Sequence, residues 1–245
     1  MEDILETLNH FTLPEMFKNT VNQFGKRNCL SMVNGNPLTY HQVNQKIYEI
    51  VDFLEEQGVE SGDKVAILSE NMPQWGIAYL AITFMGAVAV PILKDFHSNE
   101  IMHIIKHSGT KLIFVSNNLY DKINVDYTGT QIPLVMIENF EVIPHYMPKD
   151  KLSEFLSEKS AQLTKMKNKA LKAIGLKRHQ VNEDDLAAII YTSGTTGQSK
   201  GVMLTHRNLV YNAYTTKKGI QKVDENDRLI SILPLAHTYE CTIGL

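Results

Sequence analysis

The side chains best able to do chemistry stand together in Tyr191-Thr192-Ser193-Gly194-Thr195-Thr196-Gly197-Gln198-Ser199-Lys200-Gly201, directly after the apolar run Leu186 to Ile190. Glycines let a backbone turn its N–H groups toward an anion, hydroxyls add donors, and a lysine ammonium neutralises polyphosphate charge. The string therefore reads as a phosphate cradle for a nucleoside triphosphate. It is not the common P-loop, which would need Gly-Lys-Ser/Thr where this chain has Ser199-Lys200-Gly201. Flexible linkers share this Gly/Ser/Thr composition. A position between a buried strand and an expected helix favours a cradle over a linker.

Other candidates are weaker. His103 and His107 have the spacing of a helical metal pair. Ile101, Ile104 and Ile105 define the buried side of that helix, which puts both histidines on the wet face as a solvated pair with no third ligand. His237 follows Pro234 at the end of a strand expected over Asp227 to Leu233, at the sheet edge where the cradle strand also ends. Trp75 lies within an early helix and reads as core. Ser-His-Asp order, a Gly-x-Ser-x-Gly elbow and paired carboxylates are absent, so hydrolase chemistry lacks support. Gly-x-Gly-x-x-Gly is absent too, which disfavours a dinucleotide-dependent dehydrogenase.

The elements that must position these residues alternate between helical and strand periods. Thr39 and Gln42 form a capping box, Val43, Ile47, Ile50, Val51 and Leu54 make one apolar stripe, and Gly58 supplies the stop. Lys64 to Ser69 is a short apolar run suited to a strand covered on both faces. Asn71 is expected to cap the next helix, with Pro73 at its start and Gly86 at its end. The pattern continues with strand Ala87 to Leu93, helix Ser98 to Gly109, strand Lys111 to Val115, a helical piece near Leu119, strand Pro133 to Ile137 and strand Leu186 to Ile190. Thr205 is a plausible N-cap for a helix through Tyr214. Short apolar strands separated by helices imply an α/β fold with a parallel sheet flanked by helices. The cradle then sits at the carboxyl end of a strand, where open α/β sheets place ligands.

The 245 residues allow one large α/β domain with a substantial core. A formal charge of −3 gives no general attraction to nucleic acid. Cys29 and Cys241 are isolated and far apart, which suits a reducing cytoplasm, and neither sits in a catalytic pattern. The acidic start Met1-Glu2-Asp3 is unlike a signal peptide, and no run is long and apolar enough to span a membrane. Between 151 and 179, Lys151, Lys159, Lys165, Lys167, Lys169, Lys172, Lys177 and Arg178 face only Glu154 and Glu158. Leu163, Met166, Ala170 and Ile174 share one face of this basic helical insert. An amphipathic surface helix is the favoured reading, and peripheral contact with anionic membrane the alternative.

The string Tyr191 to Gly201 resembles, almost letter for letter, the signature of the adenylate-forming enzymes: acyl-CoA synthetases, luciferases and peptide-synthetase adenylation domains. Ser199 stands where family members usually carry proline. Leu233-Pro234-Leu235-Ala236-His237-Thr238-Tyr239-Glu240 resembles a second family motif, in the form that long-chain acyl-CoA synthetases carry. The resemblance runs from about Thr39 onward and implies the amino-terminal part of a long-chain fatty acid CoA ligase. ATP, Mg2+ and CoA are its implied cofactors and co-substrates, and a fatty acid its substrate. It places Ser193, Gly194, Thr195, Thr196, Gly197 and Lys200 on the β- and γ-phosphates, with Lys200 catalytic. Thr192 would be a Mg2+ ligand, and His237 would lie beside the acyl and adenine pocket. Family members continue well beyond this length, so the fold is expected to be truncated. Residues 1–205 would form a first α/β subdomain with the cradle, and 206–245 the start of a second. Such a fragment is expected to self-associate and to lack turnover. The competing reading is a non-catalytic nucleotide-binding or assembly module that keeps the loop.

Overall fold

The computed structural model describes residues 8–123, 132–143, 147–163, 180–192, 199–219 and 226–237. Helix α1 (Leu13–Phe24) starts at Thr12, whose hydroxyl accepts from the Glu15 amide at 3.3 Å, with Pro14 in the first turn. A small antiparallel pair, β1 (Asn28–Leu30) and β2 (Leu38–Thr39), leads into α2 (Tyr40–Glu56). The expected capping box is present there. Gln42 donates its amide to the Thr39 hydroxyl at 3.3 Å, and the Gln42 side chain accepts from the Thr39 amide at 2.8 Å.

The central sheet then forms from β3 (Lys64–Leu68), β4 (Val88–Ile92), β5 (Thr110–Val115), β6 (Leu134–Met136), β7 (Glu141–Ile143), β8 (Leu186–Thr192) and β9 (Lys200–Thr205). Its order is β7-β6-β5-β3-β4-β8-β9. The five inner strands run parallel, and the two edge strands pair antiparallel to their neighbours. Helices α3 (Pro73–Phe84), α4 (Ser98–Ser108), α5 (Lys149–Leu163) and α6 (His206–Gly219) complete the chain. A 3-10 turn at Tyr120–Lys122 occupies the place of the helical piece expected near Leu119.

Both faces of the sheet are covered, which explains why its inner strands are apolar at nearly every position. Along β3, Val65 and Ile67 pack with α1, α2 and α3, whereas Ala66 and Leu68 pack with α4. Trp75 is fully buried in the first layer and stacks on Tyr79 at 5.3 Å between ring centroids. Leu209 and Val210 of α6, together with Leu235 and Ala236, join that same layer.

Two expectations for the carboxyl-terminal part fail. Asp227 to Leu233 is not a strand: the segment has no ladder, and Leu229, Ile230 and Ile232 are 63, 74 and 82% exposed. Its β-branched residues have strand propensity, but a strand exists only where a neighbour supplies hydrogen bonds. Residues 200–205, which looked like a lead into a helix, form an edge strand instead. The basic insert beyond Leu163 lies outside the described residues.

Candidate functional site

The cradle is the connection of a β-hairpin. β8 enters it in parallel with β4, β9 leaves antiparallel, and Thr192 and Lys200 are register partners at its mouth. Helix α6 comes only after β9, so the expected strand–cradle–helix order is corrected to strand–cradle–strand. Thr192 and Lys200 are both exposed. Ser193, Gly194, Thr195, Thr196 and Gly197 lie outside the described residues.

Below the mouth, Tyr191 pairs with Gly201. A Cβ on Gly201 would come within 2.8 Å of Ile189 Cγ2 and 3.1 Å of Tyr191 Cζ, so only glycine lets the tyrosine ring lie across β9. The Tyr191 hydroxyl and His107 Nδ1 are 2.7 Å apart, and the two rings meet edge-on. Burial raises the phenol above its usual range. His107 is exposed, as the wet-face reading expects, and it also has a protein partner in Tyr191. Its ring sits 5.5 Å from that of His103, yet its hydrogen bond anchors the strand that feeds the cradle. Sequence spacing could find the pair but not the tyrosine, which lies 84 positions away.

The far end of the hairpin is tied to the start of the chain. His206 is fully buried, and its Nδ1 accepts the Leu13 amide at 3.3 Å. Burial pushes its pKa down to about 4, against a smaller opposing effect from Asp185. Glu183 accepts the Phe11 amide at 3.0 Å and pairs with Arg207, which also holds Asp184. Thr205 caps α6 as expected: its hydroxyl accepts the Asn208 amide at 3.2 Å, and the Asn208 side chain accepts the Thr205 amide at 3.0 Å.

The second motif approaches the same edge of the sheet by another route. Asn71, just past the carboxyl end of β3, does not cap α3; Met72 occupies the N-cap without a side-chain bond. The Asn71 Nδ2 instead donates to Ser231 Oγ at 2.9 Å and to the Leu233 carbonyl at 2.7 Å, while its Oδ1 accepts the Leu235 amide at 2.9 Å. A turn follows in which the His237 amide donates to the Pro234 carbonyl at 2.8 Å. His237 thus sits exposed in a turn rather than at a strand end. With one strand, β4, between them, the carboxyl ends of β3 and β8 lie about 10 Å apart.

Other chemistry is thin. Burial pushes the Cys29 thiol up to about 12, which leaves it unreactive. Among the described residues no cluster of three histidine, cysteine or acidic side chains could hold a metal. No helix among them is long and apolar enough to cross a membrane.

The family model of the AMP-binding enzymes matches residues 17–245. A chloroplastic long-chain-fatty-acid–[acyl-carrier-protein] ligase of Arabidopsis thaliana is 30% identical over 239 residues, covering 93% of this chain and 32% of its own length. The 4-coumarate–CoA ligase 1 of the same plant is 30% identical, covering 94% of the chain and 40% of its length. A long-chain-fatty-acid–CoA ligase of Bacillus subtilis is 26% identical, covering 94% and 43%. The chain therefore spans between about a third and two fifths of the length of these curated relatives. Among solved structures, ATP-bound MatB of Rhodopseudomonas palustris superposes with a TM-score of 0.68 at 24% identity, over 93% of this chain and 42% of MatB. The fold is that of these enzymes' amino-terminal region, α/β with a mostly parallel sheet flanked by helices.

Proposed function

Because the chain belongs to the AMP-binding enzyme family, we propose that it forms the amino-terminal part of an ATP-dependent acid–thiol ligase acting on long-chain fatty acids. The observation that carries this reading is the hairpin mouth, where Thr192 and Lys200 face each other across β8 and β9 at the carboxyl edge of the sheet. In the first step a carboxylate oxygen bonds to the α-phosphorus of ATP, the bond to the β-phosphate oxygen breaks, and pyrophosphate leaves. In the second, the CoA sulfur attacks the acyl carbonyl and AMP departs. Two anions must meet in the first step, so charge neutralisation and alignment supply most of the rate.

The Lys200 ammonium would neutralise charge that shifts onto the departing pyrophosphate, and the backbone and hydroxyls of Ser193, Gly194, Thr195, Thr196 and Gly197 would cradle it. Thr192 ends β8 with an exposed hydroxyl, the hard oxygen that Mg2+ accepts when the remaining ligands are phosphates and water. Bound there, Mg2+ would add positive charge beside the phosphates. The fatty-acid assignment is supported by the Leu233 to Glu240 string and by two relatives whose names include long-chain fatty acids. The isolated cysteines fit a cytoplasmic enzyme.

The test is acid-dependent pyrophosphate release by the intact protein, with ATP, Mg2+ and CoA, using palmitate and 4-coumarate as acids. Release with palmitate and not with 4-coumarate is expected. The reverse preference would move the assignment to aromatic acids. No release with any acid, despite ATP binding, would favour a non-catalytic nucleotide-binding module.

A further inference from the structure

We propose that Asn71 is a positioning residue for the acid substrate: its amide fixes Leu233 to His237 at the carboxyl edge of the sheet. The inference rests on the ligase reading above and adds a residue that no motif contains. Its first support is topological. The connection after β3 goes to α3 on one face of the sheet, and the connection after β4 goes to α4 on the other. The crevice between the ends of β3 and β4 is therefore a switch point, where open α/β sheets receive their ligands. Asn71 lies in the connection from β3 to α3, which borders that crevice.

The second support is the pattern of its bonds. A primary amide offers both donors and an acceptor, and Asn71 uses both kinds on one segment: toward Ser231 and Leu233 as donor, and toward the Leu235 amide as acceptor. Two of these partners are main-chain groups, so the bonds fix backbone height rather than select a side-chain type. Residues 227–233 have no ladder of their own. The bond to Leu235 is partly buried, and Leu235 and Ala236 insert into the core beside it. The turn from Pro234 to His237 begins at this anchor, so the position of His237 follows from the position of Leu235.

Two variants separate positioning from plain stability. Asn71→Ala removes every bond, whereas Asn71→Asp keeps an acceptor for the Leu235 amide and loses the donors. Amide hydrogen exchange at Leu235 reads the anchor directly, and separate KM values for palmitate and ATP read its consequence in acid-dependent pyrophosphate release. Asn71→Ala is expected to speed Leu235 exchange and to raise the palmitate KM, each by about tenfold, with a clearly smaller rise in the ATP KM. Asn71→Asp is expected to fall between the alanine variant and the parent in both, and it carries the test if the alanine variant does not fold. Unchanged exchange at Leu235 would overturn the anchor. Equal rises in both KM values would overturn the positioning role. An intact parent protein without acid-dependent release would overturn the ligase reading, and the exchange measurement would still decide the anchor.

Discussion

The two arms that reach the carboxyl edge are held by different means. The hairpin arm is bolted through main-chain pairing from Leu186 to Thr205 and through Thr192 to Lys200, so its geometry is insensitive to many side chains along it. The 226–237 arm has no ladder; the side chain of Asn71, from a distant loop, bonds it at three points, beside the core packing of Leu235 and Ala236. On the proposed function, the ladder would hold the strands that flank a loop whose ligand is the same in every catalytic cycle. A side-chain clamp can be retuned by one substitution, which would suit a segment that faces a variable acid.

The largest expected effect tests the chemistry that the hairpin carries. Lys200→Ala should cut pyrophosphate release by roughly 10²-fold or more, the scale of losing one preorganised electrostatic group. Its thermal midpoint should stay near that of the parent, since the exposed side chain contributes little packing. Parent-like release would remove Lys200 from the mechanism and leave the hairpin a scaffold.

Acidification should loosen the hairpin's far end next. The folded pKa of His206 lies below its unfolded value, near 4 against 6.5, so the unfolded state binds the proton more readily. Its contribution is complete above the unfolded value and is lost as pH falls through the folded one, by roughly 3 kcal/mol in all. Protonation at Nδ1 also ends acceptance of the Leu13 amide. Denaturant titrations between pH 7 and pH 4 should show this slope in the parent and a flatter one in His206→Asn. Identical slopes would assign the acid sensitivity to other groups.

Two smaller effects test whether main-chain pairing dominates. Gly201→Ala should cost about 1–3 kcal/mol, because its Cβ would overlap Ile189 and the Tyr191 ring. Tyr191→Phe removes only the bond to His107 and should cost about 1 kcal/mol, read as a shift in urea midpoint. A Tyr191→Phe loss larger than that of Gly201→Ala would mean that side chains, rather than the ladder, hold this arm too.

The inner sheet was legible because its signals are local. The apolar runs at 64–68, 88–92 and 110–115 and the capping box at Thr39 announce their elements within a few residues. Helix α1 also has a local signature, Thr12-Leu13-Pro14-Glu15. Strand β9 was harder. It lies at an edge, carries a glycine and exposes Val202 and Met203, so neither alternation nor a continuous apolar run marks it. Asp227 to Leu233 misled for the opposite reason, since β-branched composition without a partner strand looks the same in sequence as composition with one. The string read as a cradle is plain in the sequence, eleven letters long. The supports of His107 and Asn71 were not, because their partners lie 84 and 160 or more positions away.

The bond from Leu13 to His206 spans 193 positions, and β4 must wait for β8 before its second edge is paired. Contacts of such separation slow folding, because closure entropy precedes any reward. On the ribosome, β3 to β7 are all available before β8 has been made, and α1 stays without its His206 partner until α6 begins. The β8–β9 hairpin is thus the late-arriving part of the sheet, two strands of seven, and the open edge of β4 is where a nascent chain is most exposed to wrong partners.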